Sequence, residues 1–359
     1  VGMDPRARLL LQEMWHALED ASIGPDALRK SRVGVFVGVE DGDYQFIENE
    51  DRRVASNHTG ALAARLSYLL DLHGPVVATN TACSSGLVAL HQAAASLTAG
   101  ECDLAIVGAV NVLAHPATYD AMVSAGMLSR TGVCSAFSAN ADGMVAGEAV
   151  AAVVLTRESW AVQTGRREYG VIVASGINYD GRTNGLTAPN GEAQRALESE
   201  VYASAAIGPD EIDLVITHGT GTTLGDPIEA NALASAHTAL GSGENSCALV
   251  SVKPVVGHSQ AASGLVSLIV LMEAMRHETL PGNPACEPVN PHLRLQGSPV
   301  YLSSTSRPWV SPVNHPRCGA VSAFGISGTN AHVVVREPTH SHTSHPESHM
   351  NASLPLLVS

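Results

Sequence analysis

The sequence predicts an α/β protein with largely parallel sheets. Short runs rich in Val and Ile alternate along the chain with Ala- and Leu-rich runs of helical period. This alternation is typical of strands that are connected by helices. The 359 residues are 45% hydrophobic and only 15% charged, which is enough apolar chain for a large core and for more than one folding unit.

The individual elements follow from these runs. The predicted strands are the apolar, β-branched segments 33–39, 76–79, 104–112, 150–156, 170–175, 214–217, 248–252, 300–303, 320–323 and 332–335. The predicted helices are 5–20, 61–70, 87–99, 192–205, 227–239 and 261–277. Asp4 as N-cap and Pro5 at the first position mark the start of the first helix, and Asp226 and Pro227 predict the same start for the fifth.

Composition and charge exclude several classes of protein. The net charge of −14 argues against a nucleic-acid-binding surface. The longest strongly apolar stretch, 265–272, is too short to span a bilayer, and no signal peptide opens the chain. The cysteines form no C-x-x-C pair, so neither a disulfide framework nor a zinc site is predicted, and a reducing cytosol is the expected location. They are Cys83, Cys102, Cys134, Cys247, Cys286 and Cys318.

The chain is predicted to divide into two similar halves and a tail. The halves, 1–158 and 159–338, each carry a strand, a turn of small residues with a reactive side chain, and a helix. Cys83 in the first and His218 in the second therefore suggest an internal duplication. The tail, 339–359, is rich in Ser, His, Thr and Pro, which is typical of a linker toward a following domain. Without acidic or cysteine ligands at fixed spacing, its histidines are interpreted as part of a polar tract rather than a metal site: His340, His342, His345 and His349.

Cys83 is the strongest candidate for a nucleophile. It follows the predicted strand 76–79 and precedes the helix 87–99, so it lies at the apex of a strand–turn–helix elbow. The unpaired N–H groups and the positive dipole end of a helix start favour the reactive thiolate. Free cysteines are often buried and inert. The neighbours at 82 and 84–86 are all small, however, and would let a substrate approach.

Two histidines follow predicted strands in glycine-flanked turns. His218 follows the strand 214–217, and His258 lies just before a long helix. A lone histidine in such a place is usually structural, but two in matching contexts, together with a cysteine elbow, favour a catalytic role. Lys253 precedes His258 by five residues and, beside a carboxylate such as Glu229, is expected to tune the pair.

The turn after His218 offers polar groups to a ligand. Thr220 and Thr222 present hydroxyls between glycines that keep the backbone bare. The glycines at 219, 221 and 225 have the wrong last interval for the G-x-G-x-x-G loop, so a dinucleotide site is not predicted.

Four motifs occur in the order and spacing of one known family. They are Thr-Ala-Cys-Ser-Ser at 81–85, His-Gly-Thr-Gly-Thr-x-x-Gly-Asp-Pro at 218–227, Lys-x-x-x-Gly-His at 253–258 and Phe-Gly-x-Ser-Gly-Thr-Asn at 324–330. Together they resemble the β-ketoacyl synthase (ketosynthase) domains of modular polyketide synthases, over residues 3 to about 337. Finer matches at 177–185, 262–268 and 276–280 resemble ketosynthases whose acyltransferase is supplied in trans.

The resemblance implies a fold and a reaction. The fold is thiolase-like, with two similar halves stacked as a five-layer α-β-α-β-α sandwich that pairs as a homodimer. Cys83 would take an acyl chain from an acyl carrier protein as a thioester. His218 and His258 would hold the thioester oxygen of a malonyl extender while carbon dioxide leaves and an enolate develops. The enolate would attack the acyl-Cys83 carbonyl and give a β-keto chain longer by two carbons.

The same resemblance assigns supporting roles. The backbone N–H groups of Cys83 and Ile326 would bind the acyl oxygen, and Phe324 and Ile326 would line the acyl pocket. The phosphopantetheine arm of the carrier protein would lie along Thr220 and Thr222. The domain itself would bind no metal or redox cofactor, and its partners would be carrier proteins and neighbouring polyketide synthase domains.

The chain departs from the family pattern in three places. Val255 stands where the family usually has Asn, so one polar contact near His258 is lost. Ile326 replaces a bulky aromatic residue or Met, which would alter gating of the acyl pocket. The opening strand of the family has no counterpart before residue 5. The alternative function is therefore a non-elongating or catalytically incomplete ketosynthase fragment that only transfers acyl groups or docks carriers, although non-elongating members typically lack the histidine at 218.

Overall fold

The computed structural model of the chain describes residues 3–47, 58–311 and 315–338. The predicted linker 339–359, with His340, His342, His345 and His349, lies outside the described residues. The strands β1–β12 are Val33–Val39, Val76–Thr79, Leu104–Asn111, Ala149–Thr156, Val171–Tyr179, Leu214–Ile216, Cys247–Val250, Thr279–Leu280, Val300–Leu302, Arg307–Pro308, Cys318–Phe324 and Thr329–Arg336. The described helices α1–α10 are Pro5–Asp20, Pro25–Arg29, Thr59–Leu70, Ser85–Ala99, Pro116–Ser124, Glu158–Thr164, Gly191–Ser204, Gly225–Leu240, Lys253–Val256 and Ser263–Arg276.

Two mixed sheets form the framework. The first has the strand order β2-β1-β3-β4, in which β1 is parallel to both neighbours and β4 is antiparallel to β3. The second has the order β5-β12-β11-β6-β7-β9, in which β12 is antiparallel to both of its neighbours. The prediction of largely parallel sheets therefore fails at β4 and β12. The turn 325–328 is too short for a crossover helix, so β12 must return antiparallel beside β11.

The two sheets repeat one topology. Strands β2-β1-β3-β4 of the first sheet correspond in order and direction to β7-β6-β11-β12 of the second. This supports an internal duplication, but it corrects which turns are equivalent. Cys83 follows β2, whose counterpart is β7, so the Cys83 turn corresponds to the turn that carries Lys253 and His258. His218 follows β6, whose counterpart is β1.

The helices and sheets alternate as five layers, which confirms the predicted thiolase-like sandwich. Helices α4 and α10 lie between the sheets and share one hydrophobic core with the inner faces of both. Helices α1 and α3 cover the outer face of the first sheet, and α7 and α8 cover that of the second. The sequence-based assignment missed the short helices α2, α5, α6 and α9, because each is at most nine residues and shows little helical periodicity.

The start of α8 also differs from the prediction. The helix begins at Gly225, and Asp226 lies inside its first turn instead of capping it. The Asp226 carboxylate accepts backbone N–H bonds from Gly221, Thr222 and Phe137 at 3.1, 3.3 and 2.7 Å. It therefore fixes the loop that follows His218. All six cysteines are free and buried, and no helix in the described ranges has the length and apolar character needed to cross a bilayer.

Glu198 on α7 is a buried carboxyl that the fold leaves unpaired. It is 0% exposed, and neither of its oxygens has a hydrogen-bond partner. Burial, followed by the nearby Glu229 charge, raises its pKa well above the usual 4.5. The folded state therefore holds the proton more tightly than the unfolded state, and this residue contributes less stability as pH rises above 4.5 toward its folded pKa.

We expect Glu198→Leu to stabilise the fold by about 1–3 kcal/mol, because the variant no longer buries an unsatisfied carboxyl. The gain should be larger at about pH 8 than at about pH 5, because the Glu198 carboxyl destabilises the folded state more as pH rises. Thermal unfolding at both pH values measures it. Glu200→Leu, at an exposed position of the same helix, is the control. A lower melting temperature for Glu198→Leu at both pH values would contradict the argument.

Candidate active site

Cys83 lies in a tight, hydrogen-bonded turn between β2 and α4. Ala82, directly before it, adopts the left-handed conformation with φ +56°. The Ser85 hydroxyl accepts from the Thr81 N–H at 2.9 Å and donates to the Ala82 carbonyl at 2.6 Å. The Ser84 hydroxyl donates to the Thr81 carbonyl at 2.9 Å. These bonds hold the strained turn, which presents Cys83 immediately before the helix.

The Cys83 thiol is protonated in the free protein. It is 7% exposed, and burial, followed by the charge of Glu40, raises its pKa to about 12. The backbone N–H groups of Ile326 and Cys83 and the charge of Lys253 act in the opposite direction. The expectation that the helix start would favour the thiolate is therefore wrong for the free protein, because burial outweighs the N–H groups that favour it.

The Phe324 turn closes one side of the Cys83 turn. Gly325 packs so closely that a Cβ there would collide with the Thr81 carbonyl. The Gly325 N–H donates to the Thr329 carbonyl at 2.8 Å, which forms the hairpin between β11 and β12. This packing brings the Ile326 N–H to the Cys83 sulfur. Phe324 is buried, whereas Ile326 is 40% exposed.

His218 lies in a turn whose backbone is held from two directions. Glu229 on α8 accepts the N–H groups of His218 and Gly219 at 2.6 and 2.8 Å. The Lys253 ammonium donates to the His218 carbonyl. Lys253 is 2% exposed, so it is a buried cation that serves this turn rather than a surface lysine.

His258 is fixed by the first half of the chain. Its N–H donates to the Val145 carbonyl at 2.7 Å, and its carbonyl accepts from the Gly147 N–H at 3.0 Å. The His258 and His218 ring centroids are 5.3 Å apart at an interplanar angle of 87°. The His218 ring also lies 5.7 Å from the Phe324 ring. The two histidines and the Phe324 turn beside Cys83 therefore form one continuous group.

Both histidines are neutral. Burial, followed by the charge of Lys253, lowers the pKa of His218 and of His258 well below 6.5. The Nδ1 atom of each ring is buried without a hydrogen-bond partner. A neutral imidazole keeps one N–H donor, so each ring can offer a hydrogen bond to a substrate without carrying charge.

Lys253 and Glu229 are both perturbed by burial. Burial is the largest cause that raises the pKa of Glu229 to about 7, and its two backbone hydrogen bonds act against this. Burial also lowers the pKa of Lys253, while the Glu229 charge raises it. The two groups bind opposite sides of the His218 turn, and they do not bond to each other. The sequence suggested their proximity but not this arrangement.

The remaining predicted residues surround this group. The Thr220 and Thr222 hydroxyls lie 3.3 Å apart, and both side chains are partly accessible. Val255 is 77% exposed, so its side chain makes little contact with His258 or any other buried group.

Sequence reasoning missed two residues near Cys83, Glu40 and Ser263. The Ser263 hydroxyl donates to the Cys83 carbonyl at 3.2 Å. No motif signalled either residue, because both act through contacts between distant segments.

The assembled groups suit chemistry at a carbonyl. A buried thiol and two backbone N–H groups lie on one side of the Phe324 turn, and two neutral imidazole donors lie on the other. Such donors bind an oxygen that becomes negative during reaction. In the described part of the chain, no three His, Cys, Asp or Glu side chains converge to hold a metal ion.

Comparison with known families matches both halves of the chain. Residues 2–161 match the Beta-ketoacyl synthase, N-terminal domain, and residues 169–287 match the Beta-ketoacyl synthase, C-terminal domain. The chain is 50% identical over 345 residues to polyketide synthase ThaG of Burkholderia thailandensis, a match that covers 96% of this chain and 6% of ThaG. It is 43% identical over 336 residues to polyketide synthase PksM of Bacillus subtilis, covering 94% of this chain and 8% of PksM.

Solved structures agree. The ketosynthase from module 6 of the bacillaene synthase from Bacillus subtilis 168 superposes with a TM-score of 0.90 at 40% identity, covering 94% of this chain and 60% of that chain. An oxazolomycin ketosynthase domain from Streptomyces albus JA3453 superposes with a TM-score of 0.90 at 37% identity, covering 95% of this chain and 61% of that chain. The chain thus spans only a small part of the curated relatives it matches. It belongs to the β-ketoacyl synthase family, as a ketosynthase of the polyketide synthase type.

Proposed function

We propose that this chain extends a polyketide by two carbons through decarboxylative Claisen condensation. The observation that supports it most is the convergence of a buried thiol, two peptide N–H groups and two neutral histidines, with one buried lysine bonded to the His218 carbonyl. In a hydrolase triad the histidine takes the proton of the nucleophile and becomes charged. Here burial and Lys253 keep both rings neutral, which suits hydrogen-bond donation.

The first step loads an acyl chain on Cys83. The sulfur attacks the thioester carbonyl of an acyl carrier protein, and the N–H groups of Cys83 and Ile326 bind the carbonyl oxygen as it becomes negative. The new C–S bond forms as the bond to phosphopantetheine breaks. The Cys83 proton leaves with the departing phosphopantetheine thiol, so the raised pKa of Cys83 makes the thiol a resting form and not the attacking form.

The second step uses the histidines. Their N–H groups bind the thioester oxygen of malonyl carrier protein while its terminal carboxylate leaves as carbon dioxide. The electron pair released forms an enolate, whose carbon attacks the acyl-Cys83 carbonyl. The C–S bond to Cys83 then breaks, and the sulfur takes up a proton from solvent, which restores the thiol. The thioester oxygen becomes negative only as the reaction proceeds. The N–H groups of His218 and His258 therefore stabilise the transition state more than the bound substrate.

Supporting residues have separate roles in this proposal. Lys253 and Glu229 act as positioning residues, since they hold the His218 turn by its carbonyl and its N–H groups. Thr220 and Thr222 would contact the phosphopantetheine arm. Phe324 and Ile326 would line the acyl pocket, which lies beside the Cys83 turn.

The proposed assembly follows from the same chemistry. The partners are acyl carrier proteins and neighbouring polyketide synthase domains in the cytoplasm, with an acyltransferase supplied in trans and no cofactor held by the domain. Among the described residues β2 pairs only with β1, so its other edge is unpaired there, with Val76 39% exposed, and this supports a homodimer. Pairing of two β2 edges would satisfy these backbone groups. The alternative, acyl transfer or carrier docking without condensation, makes no use of the two histidines.

Cys83→Ala should abolish acyl loading, because Cys83 is the thiol that the Ile326 N–H reaches, where the acyl oxygen would bind. Intact-protein mass spectrometry after incubation with an acyl-pantetheine thioester measures the adduct. Cys102→Ala, at a buried cysteine of the first sheet, is the matched control and should still load. An adduct of equal yield on the Cys83→Ala protein would refute the assignment of the nucleophile.

His218→Ala should load normally but condense about 10²–10³-fold more slowly, because one preorganised donor to the enolate oxygen is lost. The readouts are the acyl adduct and the chain-extended product formed with malonyl carrier protein. Unchanged product formation would exclude the role of His218. If the unaltered protein loads but never extends, the non-elongating alternative is correct.

Lys253→Met should slow condensation by about tenfold or more while changing loading much less. The His218 carbonyl loses its charged donor in this variant, and both histidines become easier to protonate. The loss should be greatest at low pH, where the histidines begin to charge. A pH profile of product formation tests this, with the exposed Lys30→Met as control. Equal pH profiles for Lys253→Met and the unaltered protein would contradict it.

A further inference from the structure

Glu40 is a half-buried carboxyl that the proposed reaction does not use. It directly follows β1, and its Oε1 atom is buried without a hydrogen-bond partner. The Ala261 backbone N–H bonds to the carboxylate. One acceptor atom of this side chain therefore remains unsatisfied in the free protein, which is costly unless a ligand supplies a donor.

The duplicated topology makes Glu40 the counterpart of His218 in the first half of the chain. In the first sheet, the last residue pair between β1 and β2 is Gly38 with Thr79. In the second sheet, the last residue pair between β6 and β7 is Ile216 with Val250. Glu40 lies two residues beyond Gly38, and His218 lies two residues beyond Ile216. Glu40 therefore occupies in the first half the position that His218 occupies in the second.

Packing of β1 connects the strand end before Glu40 to the turn of the nucleophile. The β1 backbone at Gly38 lies against Ser85 and Gly86, at the helix start that follows Cys83. The Ala261 carbonyl in turn lies against Gly86. The charge of Glu40 is the second cause, after burial, of the raised pKa of Cys83. Glu40 thus approaches Cys83 from the first sheet, whereas His218 approaches from the second.

The ionisation of Glu40 leaves its acceptor role intact. Burial, with the charge of Asp41 adding to it, raises the pKa of Glu40 to about 7, and the Ala261 bond opposes this. Both the carboxylic acid and the carboxylate can accept a hydrogen bond from a hydroxyl group. A purely apolar acyl chain beside Glu40 would leave Oε1 unpaired, whereas a hydroxyl on the chain would satisfy it.

We propose that Glu40 is a specificity-determining residue that selects acyl chains with a hydroxyl group close to the thioester bound on Cys83. The inference rests on the proposed function, since it requires that Cys83 be acylated. A site built to pair with a substrate hydroxyl rejects the analogue that lacks it, because the buried partner is then left without a bond.

The test compares loading of Cys83 from pantetheine thioesters of butanoate, 3-hydroxybutanoate and 4-hydroxybutanoate, followed by intact-protein mass spectrometry over time. The unaltered protein should load at least one hydroxylated chain about tenfold faster than butanoate. Glu40→Leu should remove that preference while loading butanoate at an equal or higher rate. Glu40→Gln, which keeps an acceptor oxygen, should retain most of it.

Asp41→Asn is the matched control, because it alters the adjacent, exposed carboxylate. It should keep the preference of the unaltered protein. Equal rates for the three thioesters in the unaltered protein, or the same preference in Glu40→Leu, would overturn the role of Glu40. Failure of the unaltered protein to load any of the thioesters would instead overturn the proposed function.

Discussion

The close packing of α4 on α10 is the constraint on which the site depends. Gly264 and Gly86 have no room for a side chain: a Cβ at Gly264 would lie 2.6 Å from the Leu87 side chain, and one at Gly86 would lie 2.9 Å from the Ala261 carbonyl. Both helices start at this crossing, so the turns before them are brought together. The bond from the Ser263 hydroxyl to the Cys83 carbonyl spans the two halves. Any residue larger than glycine at this crossing would separate them.

A second constraint is electrostatic. The site buries a cation, Lys253, together with two imidazoles and several carboxyls, and its hydrogen bonds hold peptide groups more than side chains. Because the Lys253 charge and burial both oppose protonation of His218, the ring remains a neutral donor at physiological pH. Burial has the complementary result at Cys83, because it raises the pKa of the thiol and keeps it protonated in the free protein.

The duplication gives the two halves different chemistry on one topology. The turn after β2 carries Cys83, and the equivalent turn after β7 carries His258. The turn after β6 carries His218, and the equivalent position after β1 carries Glu40. In the proposed reaction the second half contributes the donors for an enolate. The first half contributes the thiol and, as proposed, Glu40 as the acceptor for a hydroxyl on the acyl chain.

By itself the sequence determined the strand–turn–helix elbow of Cys83, the histidine turns and the layered α/β class, because hydrophobic period and glycine placement are local signals. Only the tertiary structure decided that β4 and β12 run antiparallel and that Glu229 and Lys253 hold the His218 turn. It also decided that the Cys83 thiol is protonated and that the Glu40 charge acts on it. Strand direction depends on which edge a connection returns to, and pKa values depend on burial by distant segments. The contact between Ser263 and Cys83 joins residues 180 positions apart, and packing alone sets such a distance.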